Sequence, residues 1–201
     1  MTSPAPPSGA APPSSTAPPS STAPADTPSQ ADAVTAADVA AGTVQLGRSP
    51  RDLARIAHRC PCGQPDVVAT APRLADGTPF PTTYYLTCPR ASSACSTLES
   101  NGVMTQMAAR LPDDPELAQR YAAAHQAYLT DRSRLDDVPE ISGVSAGGMP
   151  DRVKCLHALA AHALAAGPGV NPFGDEAVTL IGPYWNKPCL NGEPRPSGSH
   201  L

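Results

Sequence analysis

The chain has 201 residues, a formal net charge of −4 and only 4% aromatic residues, so its core must lean on Ala, Leu and Val. It carries no block of Lys and Arg, which disfavours sequence-independent nucleic-acid binding, because neutralising phosphates takes clustered cations. No run approaches the ~18 apolar residues of a membrane span.

Nine of the 26 prolines fall in residues 1–30, where Ala-Pro-Pro-Ser-Ser-Thr occurs at 11–16 and again at 17–22. Such sequence buries almost no apolar surface, so 1–30 is expected to be a disordered tail of polyproline character. It has neither the basic start nor the apolar stretch of a secretory signal. A single globular domain is expected over 31–182, with a loose tail over 183–201. Six cysteines without an export signal point to a reducing, cytoplasmic setting, where thiols are more often free, metal-bound or redox-active than bridged.

In chain order, Thr35 and Asp38 have the spacing of a capping box. A helix is expected from there to about Leu46, ended by Gly47. Residues 53–59, 66–70 and 82–87 read as three strands, the last two rich in β-branched and aromatic residues. A Pro/Gly turn at 60–65 joins the first pair, and a longer connection containing Asp76-Gly77 joins the second. An antiparallel meander of these three strands would bring Cys88 back beside Cys60 and Cys62.

Pro89 has the preference of a first helical residue, which makes Cys88 the N-cap of a helix running to Ser100. A short helix is expected over 103–111. A longer one opens at Pro112-Asp113-Asp114-Pro115, with Leu117, Tyr121, Ala124, Tyr128 and Leu135 as its apolar stripe. His125, on that helix's flank, is read as solvated or capped rather than as a ligand. Residues 137–149 form a loop whose three glycines permit positive φ or close backbone approach. A last long helix is expected over 151–166, and residues 171–176 are expected as a turn leading into a short helix that ends near Ile181. Cys189 is expected as a free thiol in the tail. The expected fold class is therefore α+β: a small three-stranded antiparallel meander packed by four to five helices.

The blocks Pro65-Asp66-Val67-Val68, Gly77-Thr78-Pro79-Phe80-Pro81-Thr82, Tyr85-Leu86-Thr87-Cys88-Pro89, Gly148-Met149-Pro150-Asp151-Arg152-Val153-Lys154-Cys155-Leu156-His157 and Asn171-Pro172-Phe173-Gly174 together resemble the bacterial domain of unknown function 501 over about residues 40–182. The resemblance implies no established activity. Members are common in actinobacteria and are often encoded near a septum-formation protein and an exopolyphosphatase-like enzyme, so a partner in the division machinery is an expectation from family context only.

The chemistry-bearing residues are the cysteines. Cys60-Pro61-Cys62-Gly63 is one residue shorter than the C-x-x-C knuckle that wraps a tetrahedral ion. Cys60, Cys88 and Cys155 are the expected core of a ligand set, with Cys62 or His157 completing four. Zinc is the expected ion, and all-sulfur ligation would suit an iron–sulfur cluster. On an ideal helix Cys155 and His157 would point to opposite sides, so both could serve only if the first turn were distorted. The alternative is an enzyme with a thiol or phosphate-handling pocket, in which the loop glycines Gly147 and Gly148, with Arg152, Lys154 and His157, would meet an anion. That loop lacks the GK[ST] ending of a P-loop.

Overall fold

The computed structural model describes residues 1–2 and 33–190. Most of the Pro-rich tail, and residues 191–201, lie outside the described residues. In the remainder, one helix is followed by three strands and then five more helices: α1 (Ala36–Leu46), β1 (Leu53–Arg59), β2 (Pro65–Thr70), β3 (Tyr84–Leu86), α2 (Pro89–Ser100), α3 (Val103–Ala109), α4 (Pro115–Ser133), α5 (Leu156–Ala166) and α6 (Pro172–Ile181). The fold is α+β, and the strands form one antiparallel sheet of order β1-β2-β3.

The meander follows from local chemistry. Gly63 closes the β1–β2 turn at φ 84°, a conformation that suits glycine, and donates its N–H to the Cys60 carbonyl at 2.8 Å. Gly77, also at positive φ, turns the chain between β2 and β3. The middle strand β2 is buried along its whole length, because both faces are covered. Its Val67 and Ala69 face the helical core together with Tyr84 and Leu86 of β3. By the two-residue alternation of a strand, Val68 and Thr70 face the other way, towards Leu46 at the end of α1, Pro50 and Phe80. Phe80 stacks on Tyr85 of the edge strand with ring centroids 6.1 Å apart.

The capping box at α1 is present: Asp38 N–H donates to Thr35 Oγ1, and the Asp38 carboxylate accepts from Thr35 N–H. Asp38 also receives both guanidinium nitrogens of Arg59, at 2.8 and 3.0 Å. That pairing fixes α1 to the end of β1 and holds the buried Asp38 carboxyl down at about 2.

Helix α5 crosses the sheet, α6 lies against α5, and α2 packs on both. The approach of α5 and α6 is set by Gly174, where a Cβ would fall on the Leu159 carbonyl and 2.8 Å from the Ala163 Cβ. Helix α4 is capped by Asp114 and buries Tyr121, Ala124 and Tyr128, the stripe its periodicity predicts. His125 is buried and capped by Ser145 Oγ at 2.8 Å.

Two expectations change. The long helix expected over 151–166 begins at Leu156; residues 151–155 are a turn and an extended stretch, with Cys155 at φ −155° and ψ 109° as N-cap. Arg152 N–H to Gly148 O at 2.9 Å closes a single turn, but Lys154 N–H goes to Gly147 O at 2.7 Å, seven residues back rather than four, so no helix runs through this stretch. Beyond residue 182, where a loose tail is expected, a 3-10 turn at Tyr184–Asn186 buries Tyr184, whose hydroxyl donates to Asp66 Oδ2 at 2.7 Å.

Candidate metal centre

Helix α5 starts with four unpaired backbone N–H groups and no capping side chain of its own, since Cys155 makes no cap bond. Glu99, in the last turn of α2, supplies the missing acceptor. Its Oε1 takes the Leu156 N–H at 2.7 Å and lies 3.1 Å from His157 Nδ1. A carboxylate at a helix N-terminus is favourable both as an acceptor and as a negative charge against the dipole.

Because Cys155 is extended rather than helical, its side chain is free to share a side with that of His157. Its sulfur lies 4.0 Å from His157 Nδ1. Cys155 thus lies ahead of the helix rather than within its first turn, and the opposite-sides rule for an ideal helix does not apply to the pair. One donor atom from each of Glu99, Cys155 and His157 lies within 4.8 Å of the others, close enough to share one ion. For a tetrahedral ion with bonds of ~2.1–2.3 Å, donors stand ~3.6 Å apart, and the separations of 3.1 and 4.0 Å bracket that spacing.

The far side of the imidazole is also fixed. His157 Nε2 lies 3.0 Å from the Ser92 carbonyl and 3.3 Å from Ser96 Oγ, two turns and one turn back from Glu99 along α2. A proton on Nε2 donated to that carbonyl leaves the Nδ1 lone pair facing Cys155 and Glu99, which is the outer-shell arrangement that orients metal-binding histidines. Without an ion, the Cys155 sulfur and then the Glu99 carboxylate favour the imidazolium and raise His157 to about 9.

Cys155, His157, Ser92 and Gly147 line a cavity of about 440 Å³ whose opposite wall is β3, with Tyr84, Tyr85 and Leu86. Arg152 and Lys154 are exposed, outside that lining. The positive φ of Gly148 and Gly147 serves close approach of the chain to itself: a Cβ would sit 2.6 Å from Arg152 O at the first and 2.6 Å from Leu159 Cδ2 at the second.

Cys60 and Cys62 sit in the β1–β2 turn, and Cys88 is the buried N-cap of α2, as its position before Pro89 predicts. None of the three belongs to the group formed by Glu99, Cys155 and His157. Sequence reasoning missed Glu99. The available signal was the polar line Ser92, Ser96, Glu99 on α2, at i, i+4 and i+7, beside the buried Ala91 and Cys95.

A family model described as "Protein of unknown function (DUF501)" matches residues 56–179. The chain belongs to that family, a class defined by shared sequence and not by a known reaction. No curated protein and no solved structure matches the chain. Among the described residues no helix is long and apolar enough to cross a membrane.

Proposed function

We propose that the protein is a metal-binding domain whose ion, zinc by its donor set, is held by Cys155, His157 and Glu99 and presents its remaining coordination position to the adjoining cavity. The observation that carries this reading is the convergence of a thiol, an imidazole and a carboxylate, with the imidazole braced on its far side by the Ser92 carbonyl. Mixed sulfur, nitrogen and oxygen donors suit zinc. An iron–sulfur cluster wants several thiolates, and this group has one. Three protein donors beside a cavity describe an open site, where an ion polarises an oxygen ligand or lowers the pKa of a bound water, rather than a closed structural one.

The test is metal content of the full, untagged chain, followed by chelation and titration with zinc. The Cys155→Ser and His157→Ala variants should each lose one equivalent. Saturation at about a hundredfold over Kd should stabilise the wild type by about 2.7 kcal/mol. Variants that keep the wild-type stoichiometry and the same zinc-dependent rise in unfolding midpoint would remove this reading.

A second reading is supported by the imidazolium beside the Cys155 sulfur: a thiol nucleophile with His157 as its partner. It predicts rapid alkylation of Cys155 that zinc does not block, whereas an ion held there protects the sulfur.

A further inference from the structure

A second gathering of sulfurs lies outside this centre, at the corner where the sheet meets the start of α2. Cys62 Sγ stands 3.9 Å from Cys189 Sγ. Two thiolates on one tetrahedral zinc are ~3.8 Å apart, given bonds of ~2.3 Å. Cys60 is two residues from Cys62 in the glycine turn and receives the Cys62 N–H on its sulfur at 3.4 Å. Cys189 receives the Gln45 side-chain amide on its sulfur at 3.3 Å. Donors aimed at sulfur stabilise the thiolate that an ion requires.

Hydrogen bonds of its neighbours bring Cys88 to the same corner from both sides. The preceding residue, Thr87, donates its N–H to Asp66 O at 2.8 Å and its hydroxyl to Pro65 O at 3.3 Å, at the foot of the 60–65 turn. Two residues after it, the Arg90 side chain donates to the carbonyl of Pro188, the neighbour of Cys189, at 3.3 Å. Cys60 and Cys88 are buried at 3% and 0% exposure, while Cys62 and Cys189 are half-buried.

We infer that Cys60, Cys62, Cys88 and Cys189 form a second metal centre, an all-thiolate site for one zinc-class ion that fastens the segment after α6 to the sheet. Four thiolates make a closed, structural coordination sphere, unlike the open one at Cys155. In the structure the Cys62–Cys189 pair alone stands at ligand spacing, and no three of these sulfurs lie within 4.8 Å of one another, so binding must draw Cys60 and Cys88 in around that pair. The site is independent of the Glu99 group, sharing no residue with it.

The experiment uses the full chain, reduced and untagged, with zinc counted by elemental analysis and cobalt(II) as a spectroscopic stand-in. Wild type should bind one more equivalent than the Glu99 group accounts for, and Cys155→Ser should retain that equivalent. Cys189→Ala should lose it or bind it at least about tenfold more weakly. Cys189→His, which keeps a zinc ligand, should recover it, so loss of the ion is separable from loss of the fold. With cobalt, the near-ultraviolet sulfur-to-metal band of the Cys155→Ser variant should be that of a multi-thiolate site and should shrink in Cys189→Ala. The proposal is overturned if Cys189→Ala binds as much metal as wild type with equal affinity. It is overturned equally if the reduced protein takes up no ion outside the Glu99 group, or if the bound species contains inorganic sulfide.

Discussion

Glu99 caps a helix to which it does not belong: its carboxylate, near the end of α2, accepts the first N–H of α5 from Leu156 at 2.7 Å, 57 residues further along the chain. One side chain thereby sets where α5 begins, orients His157 and contributes a donor to the proposed ion site. Structure and chemistry at this position can be separated by choice of substitution.

Glu99→Gln keeps an acceptor for Leu156 N–H but removes the charge, and should destabilise the chelated protein by less than about 1 kcal/mol. Glu99→Ala removes the acceptor as well and should cost about 1–2 kcal/mol. Both should weaken zinc binding. Urea unfolding with and without zinc measures the two effects on the same samples.

His162 should make the metal-free protein acid-sensitive. The residue is fully buried, stacked on Tyr84 and edge-on to Tyr128, with Asn171 Nδ2 donating to its Nδ1 at 3.1 Å. Burial holds it neutral and lowers its pKa to about 4, despite the opposing pull of the Asp131 charge. A depressed histidine contributes stability that is present above the unfolded value of ~6.5 and lost as pH falls through 4. The loss should be on the order of 3 kcal/mol between pH 6.5 and 4. With chelator present throughout, His162→Gln should flatten that slope; an unchanged slope would assign the acid sensitivity elsewhere.

Tyr128→Phe deletes one oxygen and leaves a buried amide without its acceptor. The Tyr128 hydroxyl takes the Thr83 N–H at 2.6 Å, and Thr83 Oγ1 beside it already lacks a hydrogen-bond partner. The expected destabilisation is about 1–3 kcal/mol, from desolvation rather than lost packing, since ring and volume are retained. Equilibrium denaturation should show a lower midpoint at unchanged m-value.

Gly174→Ala adds a methyl group where α5 and α6 nearly touch, against the Leu159 carbonyl and 2.8 Å from the Ala163 Cβ. Backbone cannot rotate away as a flexible side chain can, so the cost should reach or exceed ~3 kcal/mol, the upper end for overpacking. A thermal melt within a degree or two of wild type would contradict that crossing distance.

Much of the fold is legible in the chain because its signals are local. Thr35 and Asp38 announce α1, Pro89 places Cys88 at the head of α2, and the glycine turns fold the meander. What escapes a sequence reading is set by partners far along the chain. The start of α5 depends on Glu99 and on loop carbonyls at Gly147 and Gly148. The same non-helical start gives Cys155 and His157 a common side, which helical periodicity forbids. Cys189 reads as an unattached thiol because nothing near it in sequence foretells Gln45 or Cys62 as neighbours.

The segment that carries Cys189 also carries the chain's single tryptophan, Trp185. Its indole lies edge-on to the buried Tyr184 ring, centroids 5.0 Å apart, and is 39% exposed. Release of this stretch from the sheet would break the Tyr184 hydroxyl's bond to Asp66, bring both rings into solvent and shift the indole emission to the red. The molecule thus has a built-in fluorophore four residues from the outermost sulfur, able to follow docking of its own C-terminal arm in real time without a label.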